Sequence, residues 1–129
     1  MKTNGIIPTE HDEQKALIKW WTVYSKRRGI PEVLLFAIPN GGKRSVQTAM
    51  VLRSEGVRPG IPDLFLAHET YKHAGLFIEM KKQKGGVVSD IQKDTIETIK
   101  EKTSYCVKVC NGFNDARETI EKYVETGEI

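Results

Sequence analysis

Residues 56–66, GVRPGIPDLFL, and residues 75–82, GLFIEMKK, read as two neighbouring strands, and the groups at their facing ends decide how the rest is read. Pro62 cannot donate a ladder hydrogen bond and suits the entry to a strand; Asp63 follows it. In the second strand side chains alternate with period two. Leu76, Ile78 and Met80 therefore share one face, and Phe77, Glu79 and Lys81 the other. Neither face is wholly polar, which places this strand in the middle of a sheet covered on both sides. Glu79 and Lys81 stand about 7 Å apart at roughly 3.3 Å per residue. If the two strands pair at the usual spacing of about 4.8 Å, Asp63 approaches Glu79. Two carboxylates and an ammonium then converge. Hard oxygen ligands suit Mg²⁺ or Mn²⁺, and a neighbouring lysine suits a water attacking a phosphate.

The remaining chain sets the frame for that site. A length of 129 residues predicts one domain, 1–129, with a real core. Its 39% hydrophobic and 29% charged residues are ordinary for a soluble globular protein, without an apolar run near the roughly 18 residues of a membrane span. The start, MKTNGIIPTEHDEQ, turns polar at once and lacks a signal peptide's apolar region, so a cytoplasmic protein is expected. Cys106 and Cys110 fall on one strand, about 13 Å apart at strand rise, too far for a disulfide. Buried, reduced thiols are expected. His11, His68 and His73 add no zinc-ligand spacing.

Net charge is +3, but its distribution says more. Residues 43–84 hold eight basic and four acidic residues, and two of the four are Asp63 and Glu79; from residue 85 onward there are six basic and nine acidic. Positive charge gathers around the proposed site, as suits a phosphate-binding protein. Taken alone, a basic stretch more often marks a solvated face.

Thr9, with Asp12 three residues on, signals a helix start, and Leu17, Trp20, Trp21 and Tyr24 form its apolar stripe. Counting back along that stripe reaches Gln14, Glu13 and Glu10. Either a first-turn carboxylate is favoured there by the helix dipole, or one of the glutamates reaches the metal site. Residues 33–39, VLLFAIP, read as a strand. NGGKRSV follows, a loop whose amides, beside Lys43 and Arg44, suit a phosphate cradle ahead of a helix at 45–54 capped by Ser45. After GLFIEMK comes a flexible basic loop, then a helix capped by Ser89 with Ile91, Thr95 and Ile99 at helical spacing and Gln92 in its first turns. SYCVKVC is the last strand, and a closing helix ends near Gly127. The order α-β-α-β-β-α-β-α predicts an α/β fold, a mixed central sheet flanked by helices.

Taken together, GVRPGIPD, its strand, GLFIEMKK, the serine-capped helix with Gln92 and a further strand resemble the VRR-NUC branch of the PD-(D/E)xK nuclease superfamily. The resemblance spans most of the chain, from residues 10–14 to the last helix. A lone Glu-x-Lys is common by chance; Pro62-Asp63 one strand earlier makes it specific. The resemblance implies a restriction-endonuclease-like core and a stand-alone phage or bacterial protein, a homodimer that cuts structured DNA such as four-way (Holliday) junctions in the cytoplasm of a bacterial or phage-infected cell. It also implies that Asp63, Glu79 and the main-chain carbonyl of Met80 hold Mg²⁺ (or Mn²⁺), that Lys81 is the catalytic lysine, and that Gln92 is the glutamine of the following helix. The family's first-helix glutamate matches both Glu10 and Glu13; Glu13, nearer the apolar stripe, is preferred. No catalytic group of the pattern is missing. Neither a membrane nor a small-molecule cofactor is implied.

Lys43, Arg44, Arg53, Arg58, Lys82 and Lys84 are the candidates for gripping DNA phosphates, contacts that position a duplex without reading bases. Little suggests a recognition helix, so selection by DNA shape is expected. Two other readings use the same residues differently. A non-catalytic module binding branched DNA needs the basic middle but not Asp63, Glu79 and Lys81. A sequence-specific restriction-type endonuclease needs recognition elements for which this chain has little room. For a dimer, the first helix with its tryptophans and the second helix are the candidate contact surfaces.

Overall fold

The computed structural model describes residues 6–39 and 45–129. Lys43 and Arg44, with the glycine loop expected to cradle a phosphate, lie outside the described residues. The elements are α1 (Glu10–Arg28), a 3₁₀ turn (Glu32–Leu34), β1 (Leu35–Ala37), α2 (Val46–Ser54), β2 (Leu64–Leu66), β3 (Leu76–Lys81), α3 (Asp90–Lys102), β4 (Cys106–Asn111) and α4 (Phe113–Thr126). The expected order holds, with the first half of VLLFAIP coiled instead of extended. The Leu34 N–H reaches the Pro31 carbonyl, and the Glu32 carbonyl accepts the indole N–H of Trp21 at 2.8 Å, which ties this turn to α1.

Each strand stands next to its sequence neighbour, β1-β2-β3-β4. β1–β2 and β2–β3 are antiparallel, β3–β4 parallel, with α3 making the crossover that a parallel pair requires. The sheet is therefore mixed and β3 is internal. Leu76, Ile78 and Met80 are all buried, and they join Leu64, Leu66, Leu17, Trp21, Ile120 and Tyr123 in a core between the sheet and the helices α1 and α4. Cys106 and Cys110 are free thiols in the same core, and burial pushes Cys110 up to about 12. Across the other face runs a row of rings, Phe36–Phe65–Phe77–Tyr105, with neighbouring centroids 4.5–5.8 Å apart. Such cross-strand pairs are a main source of sheet stability.

Helix ends follow their sequence signals. Thr9 caps α1 in a reciprocal capping box with Asp12, Gly29 closes it at φ 68°, and Ser45 and Ser89 cap α2 and α3. The expected α3 stripe of Ile91, Thr95 and Ile99 is displaced: the buried residue is Ile96, while Ile91 is exposed. Ile91 and Thr95 lie against Gly60, where an added Cβ would sit 2.7 Å from Ile91 Cγ2. That face of α3 covers the loop leading into β2 and so fixes the approach to Asp63. No helix among the described residues is long and apolar enough to cross a membrane.

Candidate active site

The β2–β3 register pairs Leu64 with Ile78, so Asp63 falls beside Glu79. Ile38 N–H donates to the Asp63 carbonyl and Ala67 N–H to the Leu34 carbonyl. The odd-numbered residues of β2 thus turn their backbone groups towards β1, and Leu64 and Pro62 turn theirs towards β3. One step beyond Leu64–Ile78, Pro62 faces Met80 but has no N–H to donate. The Met80 carbonyl receives no ladder bond from that residue. The Met80 N–H turns instead to Asp63 Oδ2, at 2.8 Å, which fixes the carboxylate at the strand end. A proline followed by an aspartate therefore aims one carboxylate and opens one carbonyl on the adjacent strand.

Glu79 and Lys81 are almost wholly buried, at 3% and 7% exposure, on the face of β3 turned to α3. Buried charges persist only when paired or hydrogen-bonded. Lys81 Nζ lies 3.2 Å from Glu79 Oε2, 3.1 Å from Gln92 Oε1 and 3.8 Å from Glu10 Oε1. Gln92 also donates from Nε2 to Glu79 Oε2 at 2.9 Å. One glutamine side chain thereby sets the orientation of both the acid and the amine. Burial, then the Asp63 carboxylate beside it, push Glu79 up to about 7, although Lys81 pulls the other way.

The two α1 glutamates part company. Glu10, half exposed, turns to Lys81. Glu13, buried at 5% exposure, accepts the Phe113 N–H at 3.3 Å and the Gln83 side-chain amide at 3.1 Å. It sits at the start of α4, where a carboxylate meets the free N–H groups and the positive end of the helix dipole. Gly112 has φ 94° there, and a Cβ on it would lie 2.9 Å from Glu13 Oε2. Glu13 is thus seated at α4, while the α1 carboxylate beside Lys81 is Glu10.

Gln83, Gly86 and Gly112 were not singled out by the sequence. Gly86 crosses the Lys81 stem so closely that a Cβ would stand 2.9 Å from Lys81 Cβ. The doubled glycine after a basic run was the available signal. Of the phosphate-gripping candidates among the described residues, Arg53, Arg58, Lys82 and Lys84 are exposed and form no ion pair with another described residue. Lys82 follows directly on Lys81, and Lys84 comes after Gln83.

Among the described residues no three His, Cys, Asp or Glu side chains gather as a ready-made metal cluster. Mg²⁺ asks for less, one or two carboxylates with water and substrate phosphate completing its shell. Asp63, Glu79 and the Met80 carbonyl fit that demand. Burial, and then the repulsion between Asp63 and Glu79 that helps raise Glu79, disfavour two bare carboxylates side by side, and a cation between them would relieve that repulsion.

Two carboxylates, a lysine and a glutamine gathered at the end of an internal strand of a mixed sheet define a nuclease-type α/β protein. The chain belongs to the VRR-NUC family, whose domain model matches residues 8–114. A solved structure described as "VRR_NUC domain protein" is similar over 95% of this chain and 93% of that one, with TM-score 0.78 and 27% identity. No curated protein matches. Membership implies a nuclease-type protein that processes DNA.

Proposed function

We propose that the protein is a Mg²⁺- or Mn²⁺-dependent endonuclease that hydrolyses phosphodiester bonds in branched DNA, four-way junctions included. The observation that carries this reading is the buried Lys81 ammonium, held between Glu79, Gln92 and Glu10 beside a second carboxylate, Asp63. An ordinary structural ion pair needs no second carboxylate raising its acid.

Asp63, Glu79 and the Met80 carbonyl would hold the ion. A divalent cation there supplies Lewis acidity towards the scissile phosphate and makes water more acidic. Lys81 directs the attacking water and donates to the phosphate oxygen on which charge develops, a donor already fixed before reaction. Glu10, 3.8 Å from Lys81 Nζ, adds the α1 carboxylate, in place of Glu13. Gln92 keeps Glu79 and Lys81 in register with one another.

A paired cut at a junction needs two sites, which a two-fold dimer supplies. Trp21 is buried and Trp20 half-buried, whereas α2 buries no residue and exposes Val46, Met50 and Val51. This favours α2 over α1 as the contact surface. The exposed Arg53, Arg58, Lys82 and Lys84 suit backbone contacts that follow DNA shape.

The test is cleavage of a four-way junction, a flap and a linear duplex with Mg²⁺ or Mn²⁺. Lys81→Ala is expected to lose about a hundredfold or more in rate and to keep its DNA affinity. Normal turnover by that variant, or no cleavage of any DNA with either ion, would refute the reading.

A further inference from the structure

Beside Lys81 a groove of about 490 Å³ runs between the residues ahead of α1 and the loop after β3. Its apolar wall is Ile7, Pro8 and Val87. Ile7 is 45% exposed and Val87 77%, so two aliphatic side chains stand in solvent at the rim of a charged site. Glu10 lines the groove and also reaches Lys81, which makes groove and site continuous. Gly86, which lies against the Lys81 stem, and Lys82 also line the groove.

The lining is wrong for a phosphate. Glu10 repels an anion, and aliphatic carbon offers it no hydrogen bond. It is right for a flat, neutral ring, which packs on aliphatic side chains and gives its N–H groups to a carboxylate. Lys82, which borders the groove, suits the phosphate attached to such a ring. Aliphatic wedges of this kind enter DNA where bases part. A base stacked in intact duplex must first be unpaired and unstacked, whereas one at a branch point is already free of that cost.

We infer that this groove is a subsite for one unpaired nucleotide of the strand being cut, adjoining the scissile phosphate, and that it is the means by which branched DNA is preferred. The inference rests on the proposed nuclease function. Ile7 and Val87 pack on the base, Glu10 accepts from its edge, and Lys82 holds its phosphate.

The experiment has two readouts. The first is the ratio of flap to linear-duplex cleavage with Mg²⁺, for the native chain, Ile7→Ser/Val87→Ser and the control Val23→Ser on the exposed side of α1. The second is the fluorescence of 2-aminopurine at the branch-point nucleotide of a flap, bound by the same variants in a Lys81→Ala background. The double variant is expected to lower the cleavage ratio about tenfold or more, and to abolish a fluorescence rise that Val23→Ser retains. Val87→Ser alone, at the most exposed position, keeps the test valid if the double variant is poorly folded. Where DNA is cut, either readout left unmoved overturns the subsite. If no DNA is cut yet the fluorescence rise is present and lost in the double variant, the nuclease reading fails and the subsite stands. If no DNA is bound, both fail.

Discussion

The carboxylate of Glu13 accepts the main-chain N–H of Phe113 at 3.3 Å, one hundred residues away in sequence. Glu10, one helical turn earlier, is the glutamate facing Lys81. The two are expected to separate on mutation. Glu13→Gln turns one acceptor oxygen into a donor at a buried site and should cost about 1–3 kcal/mol of stability, with the midpoint of an Mn²⁺ titration unchanged. Glu10→Gln should leave the denaturant midpoint within about 0.5 kcal/mol of native and slow cleavage. A weaker Mn²⁺ midpoint in Glu13→Gln would return that residue to the metal site.

Glu79 links stability to pH. Its value in the folded chain, about 7, lies above the ordinary 4.5. The folded chain thus keeps a proton that the unfolded chain has released. The stability this provides is full below about 4.5 and is lost as pH rises through about 7. Metal-free protein should accordingly weaken by about 3 kcal/mol at most over that window, and Glu79→Gln should flatten the trend. Adding Mg²⁺ should raise the melting temperature more above pH 7 than below it, because at lower pH the ion must displace the proton. Thermal melts at a series of pH values, with and without Mg²⁺, measure both effects.

Gly86 is held to its identity by contact with Lys81, not by its own backbone. Gly86→Ala would bring a methyl to 2.9 Å from Lys81 Cβ, so the lysine must shift. Cleavage should fall about tenfold with little change in melting temperature. Equal activity in the alanine variant would show that the site tolerates the displacement.

Pro62→Ala supplies the N–H that the native sequence withholds. That N–H can reach the Met80 carbonyl and compete with a cation for it. Cleavage should then need several times more Mg²⁺, as read from the metal-concentration dependence of the rate, while the far-ultraviolet spectrum stays native.

Much of the site is legible in the sequence alone. Period-two alternation in GLFIEMK assigned Glu79 and Lys81 to one face and Met80 to the other, because a strand leaves no freedom in that choice. Proline and serine punctuation located β2 and the helix starts. What escaped was whatever depends on approach angles. Glu10 and Glu13 both continue the Leu17 stripe, and which of them meets β3 is set by where α4 begins against α1, a contact between chain ends that periodicity does not encode. Ile96 is the buried residue of α3, while Ile91 and Thr95 lean on Gly60 at the edge of the loop before β2; the choice between neighbouring stripes comes from tertiary packing.

Gln92 does two jobs with one side chain. It completes the reciprocal cap of α3 with Ser89, and it holds Glu79 and Lys81. The first turn of α3 and the Glu79–Lys81 pair of β3 are therefore tied through one side chain, and the two are expected to open together. Whatever frays that turn releases the lysine, and whatever draws Glu79 away from Gln92 loosens the turn. Amide hydrogen exchange at residues 90–93 becomes a reporter of events at the strand end, legible without any substrate being cut.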